Sequence, residues 1–235
     1  MIILSYAMAI FTVLAYLIVF ILVITKKQRF SNNNKKEVIN MAVWPNVIEE
    51  ENGVKRAYDI PSRLLMDRIV MLTDEINSAS ANSIIGQLLF LEKENNKEPI
   101  TMYINSPGGS VTDGFAIYDM IHQIKCPVNT ICIGMAASMA AFLLAAGTGE
   151  RYATENSTIM IHQPMGGTRG QATDITIYTN YILNLKKKLN NILAEKTRQK
   201  YETIQEYTER DKYFNAEEAK NFGLIDKVYR RENNV

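Results

Sequence analysis

Short apolar runs alternate with amphipathic stretches along most of this chain, and that alternation restricts the fold more than any other feature. Asp67-Arg68-Ile69-Val70-Met71-Leu72, Ile100-Thr101-Met102-Tyr103-Ile104, Val128 to Ile133 and Ser157 to His162 read as strands. Between and after them lie helical patterns. Ala81 to Glu94 carries Ile84, Ile85, Leu88, Leu89 and Leu91 at helical spacing, with Ser78 as a cap. Further helices are predicted from about Asp113 to Ile124, from Ser138 to Ala146, and from about Asp174 to Lys196, where Ile175, Ile177, Ile182, Leu185, Leu189 and Leu193 are apolar. Ser106-Pro107-Gly108-Gly109-Ser110 forms a turn that ends the second strand, and Gly166 to Gly170 a flexible one. Strand and helix alternate over short connections, so the expected class is α/β. No internal repeat of fixed period is present.

The N-terminus follows a different rule. Residues 1 to 25 carry no charge. As a helix they would extend about 37 Å, at ~1.5 Å per residue, enough to cross a ~30 Å hydrocarbon layer with some tilt. Lys26, Lys27, Arg29, Lys35 and Lys36 follow and no basic residue precedes, so the positive start of a secretory signal is missing. The basic flank would hold the domain behind it in the cytosol. A pro-segment or an upstream start codon accounts for the same stretch equally well. Ser31 to Lys36 is polar and Asn-rich. The expected organisation is therefore an apolar segment over 1–25, a linker over 26–40 and one globular domain over 41–235.

Charge and side-chain inventory exclude several function classes. With 26 Lys+Arg against 25 Asp+Glu, the net charge of +1 makes no electrostatic case for nucleic acid. Cys126 and Cys132 sit in or beside an apolar segment and are expected to be buried free thiols of a reducing, cytoplasmic compartment. Two distant histidines and two cysteines fit no zinc spacing, so no metal site and no cofactor are expected. No G-x-x-x-x-G-K-[ST] loop is present to bind nucleotide.

Nucleophilic catalysis remains. Ser138 lies in Gly134-Met135-Ala136-Ala137-Ser138-Met139-Ala140-Ala141, where a strand gives way to a helix. Free N–H groups and the helix dipole favour developing negative charge at such a place, so the Met139 N–H is positioned to stabilise an oxyanion. The small neighbours let a substrate backbone come close. A serine hydroxyl needs a base, and the chain has only His122 and His162. His122 falls in a helical run, whereas His162 follows an apolar strand in Met160-Ile161-His162-Gln163-Pro164, so His162 is the better base. Spacing does not choose the orienting carboxylate among Asp113, Asp119, Asp174, Asp211 and Asp226. Gly108-Gly109 is either a plain tight turn or a place where a peptide approaches and finds an N–H donor.

Four motifs, taken in order, resemble one family. Ile104-Asn105-Ser106-Pro107-Gly108-Gly109, Gly134-Met135-Ala136-Ala137-Ser138-Met139, Met160-Ile161-His162-Gln163-Pro164 and Glu209-Arg210-Asp211 are similar to those of proteolytic subunits of the ATP-dependent Clp protease, over about Met41 to Val228. The resemblance implies Ser138 as nucleophile, His162 as base, Asp211 as orienting acid, and the N–H groups of Gly109 and Met139 as oxyanion donors. It implies a crotonase-like α/β fold with a strand-and-helix handle over Gly166 to Asp174, through which two rings join. Glu209 and Arg210 match a pair that links rings. It further implies two stacked seven-subunit rings, 14 subunits in all, enclosing a chamber. An AAA+ unfoldase would use the ATP and feed unfolded polypeptides inward. Tyr103 fits the aromatic pocket that receives the unfoldase loop, while Thr101 and Gln123 depart from the aromatics many members carry there.

In such a stack the subunit N-termini lie at opposite poles, so residues 1–25 would need two membranes. The assembled enzyme is therefore expected to begin near Met41, with a membrane tether only if residues 1–25 are retained. Three other readings compete. A membrane-bound peptidase of the signal-peptide-peptidase or stomatin-operon type would use a Ser–Lys pair. A non-catalytic ring subunit would lack triad members, and a crotonase-type acyl-CoA enzyme would not need them.

Overall fold

A hairpin of Asn46–Glu51 (β1) and Val54–Asp59 (β2), turning through Gly53 at φ 77°, opens the part of the chain that the computed structural model describes, residues 44–51 and 53–230. The apolar stretch over residues 1–25, the linker to residue 40 and the expected start at Met41 lie outside the described residues. Among the described residues no helix is long and apolar enough to cross a membrane.

Ile60–Met66 (α1) follows the hairpin, with Pro61 in its first turn and Asp59 accepting the Ser62 N–H at 2.7 Å. Strand and helix then alternate as expected: Ile69–Leu72 (β3), Ser78–Glu94 (α2), Ile100–Ser106 (β4), Val111–Gln123 (α3), Val128–Ala137 (β5), Met139–Ala145 (α4), Arg151–Thr154 (β6), Thr158–Ile161 (β7) and Ala172–Thr197 (α5). Tyr201–Tyr207 (α6), Lys212–Phe214 (β8), Ala216–Phe222 (α7) and Lys227–Tyr229 (β9) complete the chain. The sequence pattern missed the hairpin, α1, β6 and everything after α5. These elements are three to seven residues long, too short to establish a period.

Three expectations need correction. The cap of α2 is Asn77, not Ser78. The Asn77 side chain accepts the Ala79 and Ser80 N–H groups at 2.9 and 3.1 Å, and the Ser80 hydroxyl accepts the Asn77 N–H at 3.0 Å. β5 runs on past Ile133 to Ala137, right up to Ser138. Within Gly166–Asp174 no strand forms, and α5 begins at Ala172. A strand needs a partner for its backbone hydrogen bonds, and the single chain presents none to this segment.

The strands make a seven-stranded α/β sheet in the order β3-β4-β5-β6-β9, with β7 on β5 and β8 on β7. All pairings are parallel except β7 with β8. β5 is long enough to serve two neighbours. Thr130–Cys132 pair with β6, and Met135–Ala137 with β7. Gly134, at φ 73°, separates the halves, and the β4–β5 register shifts there. The Met135 N–H meets Asn105 Oδ1 at 3.1 Å, and a Cβ on Gly134 would lie 2.8 Å from that oxygen. Two of the sequence motifs are thus interlocked across neighbouring strands.

Val70, Leu72, Ile100, Met102, Ile104 and Val128 of the sheet pack with Leu88, Ile117 and Ile121 of the helices, all essentially inaccessible. Burying each large side chain is worth about 1.5–3 kcal/mol. All seven residues of α4 are buried. Its terminal carbonyls are satisfied from inside: Thr130 Oγ1 donates to the Leu144 carbonyl at 2.7 Å and Arg151 to the Ala145 carbonyl at 3.1 Å. Cys126 and Cys132 are buried and unlinked, and burial pushes the Cys132 thiol up to about 11.

Arg151 fastens the end of the sheet. It reaches Asp226 at 2.6 and 3.0 Å and the carbonyls of Ala145, Lys196 and Gly223 at 3.1 Å each. Those bonds hold the Asp226 carboxyl below its ordinary value of 3.8. A depressed folded-state value means stability that is present above the ordinary value and lost as pH falls through the folded one. Asp226→Asn should cost about 1–2 kcal/mol at pH 7, allowing for partial solvent screening. Urea titration should show the difference from wild type shrinking progressively below about pH 4.

Candidate active site

Sheet register brings together residues far apart in the chain. Along the parallel β5–β7 ladder, Ala137 is opposite Met160, and the Ser138 N–H donates to the Met160 carbonyl at 2.8 Å. Along the antiparallel β7–β8 ladder, Ile161 is opposite Lys212. One step further on each strand come Ser138, His162 and Asp211.

Their side chains form a row. Asp211 Oδ1 lies 2.9 Å from His162 Nδ1, and His162 Nε2 lies 2.7 Å from Ser138 Oγ. An ionised carboxylate only accepts, so Nδ1 carries the imidazole proton and donates it to Asp211. Nε2 is then bare, and the Ser138 hydroxyl donates to it. Of the five candidate carboxylates, Asp211 is the one at His162. Asp226 is held by Arg151, and Asp113 sits in the first turn of α3. The other histidine is elsewhere: His122 stacks on Tyr118 and lies 2.9 Å from Lys196 Nζ.

Ser138 occupies a strained turn, with φ 55° and ψ −123° at a residue that is not glycine. Its side chain makes no capping bond to α4, which leaves the hydroxyl for His162. The Met139 N–H opens the helix beside it.

The Gly108-Gly109 segment lies directly over this turn. A Cβ on Gly108 would sit 2.8 Å from Ser138 Cβ and 2.9 Å from the Met139 nitrogen. The Gly108 N–H is engaged by Ser106 Oγ at 3.1 Å. The Gly108 carbonyl and the Ser110 N–H both bond Ile76, at 2.7 and 2.8 Å. Flanked by those two groups, the N–H of Gly109 points away from Ile76. Met139 follows Ser138 directly, and Gly108, next to Gly109, packs against both.

Sequence spacing gave no hint of the groups that support His162 and Asp211. Gln163 donates through its backbone to the Thr208 carbonyl at 2.6 Å and through its side chain to the Glu209 carbonyl at 2.8 Å. Lys186, from α5, binds Gln163 Oε1 at 2.9 Å and Glu209 Oε2 at 2.8 Å. Its ammonium holds the Glu209 carboxyl below the usual carboxylate value. Glu209, expected to face another ring, is thus bound within its own chain, while Arg210 makes no hydrogen bond or ion pair among the described residues. Lys186→Met should loosen the segment carrying Asp211. Amide exchange at Gln163 and residues 211–213 should then speed up severalfold. Unchanged exchange would show that the Lys186 bonds do not hold it.

A narrow pocket opens beside Ser138 and His162, walled mainly by apolar side chains of α4, β7 and α5. A model of the Clp protease family matches residues 51–232, most of the chain.

Proposed function

The chain belongs to the Clp protease family, and on that premise we propose that it is the proteolytic subunit of an ATP-dependent Clp protease, a serine endopeptidase acting on unfolded polypeptides. The observation that carries the reading is the uncapped Ser138 hydroxyl donating to His162 Nε2 at 2.7 Å, with Asp211 behind the ring. Ser138 would attack the scissile carbonyl while His162 takes its proton, and the N–H groups of Gly109 and Met139 would receive the oxyanion. Asp211 would hold the imidazole in the tautomer the reaction needs. His162 would then protonate the leaving amine, and water would release the acyl group by the same route.

Exposed apolar side chains support an assembled state. Ile177 and Leu183 on α5 are 63% and 56% accessible, and Met165 just before it is 83%. Apolar surface of this kind marks interaction sites. In this reading α5 and the segment before it join two heptameric rings into a closed chamber, and an AAA+ partner supplies the ATP-driven unfolding. No metal or cofactor takes part in the chemistry.

A fluorophosphonate probe should label Ser138 of the wild-type protein. Short peptides should be cleaved without nucleotide, whereas a stably folded protein should be degraded only with an AAA+ partner and ATP. Rapid degradation of a folded protein by the subunit alone would overturn the chamber. Arg210 would pair across the rings and hold the neighbouring Asp211 in place, so Arg210→Ala should give single rings with little peptidase activity in analytical ultracentrifugation and peptide assays. Fully active double rings would refute that coupling.

A further inference from the structure

Ser106 ends β4 and is 1% accessible, and both bonds of its hydroxyl go to backbone groups. We propose that Ser106 is a positioning residue for the oxyanion site. It holds the Gly108–Gly109 peptide in the orientation that turns the Gly109 N–H toward the developing charge. The proposal rests on the peptidase reading above and deepens it. Ser106 acts through the backbone and touches no reacting atom.

Each bond of Ser106 has one possible sense. A carbonyl only accepts and an N–H only donates. The hydroxyl proton therefore goes to the Asp74 carbonyl at 2.6 Å, and the oxygen accepts the Gly108 N–H at 3.1 Å. These partners lie on two different segments. Asp74 begins the loop Asp74-Glu75-Ile76, and Ile76 bonds the Gly108 carbonyl and the Ser110 N–H at 2.7 and 2.8 Å. The hydroxyl thus closes a ring of bonds that runs through Asp74, Ile76 and Gly108.

Nothing local fixes the segment that this ring holds. Its ends are anchored: Ser106 is opposite Ala136 of β5, and Ser110 Oγ accepts the Asp113 N–H of α3 at 3.3 Å. Between the anchors, Gly108 and Gly109 have φ of 93° and 145° and no side chain to restrict them. A trans peptide points its N–H and C=O in opposite directions. While the Gly108 carbonyl faces Ile76, the Gly109 N–H must face away from it. Rotation of that one plane would reverse both groups. Ser106 opposes the rotation by holding the Gly108 nitrogen and by keeping the Ile76 loop within bonding distance. It also engages the Gly108 N–H, so of these two neighbouring donors only that of Gly109 is left for an oxyanion.

The test uses the full-length assembled protein. Ser106→Ala removes both bonds with little change in volume. For a fluorogenic peptide, kcat should fall about 10–100-fold, somewhat less than the loss of a whole oxyanion donor, because the Gly109 N–H is loosened rather than deleted. KM should stay within about twofold. The acid limb of the kcat/KM profile should not move, because the contacts of His162 are untouched. A peptide aldehyde, whose hemiacetal oxygen takes the place of the oxyanion, should bind more weakly by the same factor as kcat falls. A serine that only held the fold together would not separate the aldehyde from the substrate in this way. Unchanged kcat in Ser106→Ala overturns the proposal and leaves the peptidase reading standing. So does a loss of kcat matched by a rise in KM and a displaced acid limb. If Ser106→Ala does not fold, amide exchange in the wild type decides: the Gly108 N–H should be protected, and exchange at the rate of an open chain overturns the proposal. Cleavage of no peptide by the wild type, together with no fluorophosphonate uptake at Ser138, overturns both.

Discussion

Replacing Ser138 or His162 by alanine should lower peptide cleavage by about 10⁶-fold in kcat, with either change costing nearly as much as both together. The two groups act as one unit. Without the hydroxyl there is nothing to acylate, and without Nε2 the hydroxyl keeps its proton. Asp211→Asn should cost less, about 10⁴-fold, because the imidazole remains but its tautomer is no longer enforced. The structure keeps this test clean. Ser138 Oγ caps nothing in α4, so its loss removes no bond that holds the fold. The thermal midpoint of Ser138→Ala should stay close to wild type. The measurement is steady-state hydrolysis of a fluorogenic peptide, with a fluorophosphonate counting active sites. Wild-type activity in Ser138→Ala would remove the serine mechanism altogether.

The second largest effect is expected at a pair of glycines. Gly108 and Gly109 have φ of 93° and 145°, a region that side chains rarely enter. A Cβ on Gly108 would stand 2.6 Å from the Ala137 carbonyl oxygen and 2.8 Å from Ser138 Cβ. On Gly109 it would stand 2.2 Å from the Ile76 carbonyl oxygen, within the bridge that anchors the segment. Neither backbone neighbour can swing aside, so the segment itself must move and take the Gly109 N–H with it. Misplacing one oxyanion donor costs about 10²–10³-fold in kcat, and we expect Gly108→Ala and Gly109→Ala to lose at least that much. Gly86→Ala, on the exposed face of α2, is the control, since its Cβ would meet nothing within 4 Å. Circular dichroism at the assay temperature separates lost geometry from lost folding. Wild-type kcat in a folded Gly109→Ala protein would mean that this N–H plays no part.

Much of the fold was legible because long elements advertise their period. The apolar positions of α2 and α5 and the runs of β3, β4 and β5 are continuous enough to read. β8 and β9 have three residues each, and their pairing with distant strands is what makes them strands at all. The absent strand before α5 is the converse case, a segment that no strand among the described residues pairs with.

At the candidate site the division is sharper. The sequence by itself determined that one serine stands at a strand-to-helix turn among small residues, that one histidine follows an apolar strand, and that glycines lie where a close approach needs them. Those are local properties, set by side-chain size, backbone freedom and apolar spacing. Which of five aspartates serves His162 could not be read locally. Asp211 is 49 positions away and is chosen by the antiparallel register of β7 and β8. Lys186 and Gln163 belong to the same class. Their roles come from partners brought into contact by packing, and hydrogen bonds between residues remote in sequence leave no trace in spacing or composition.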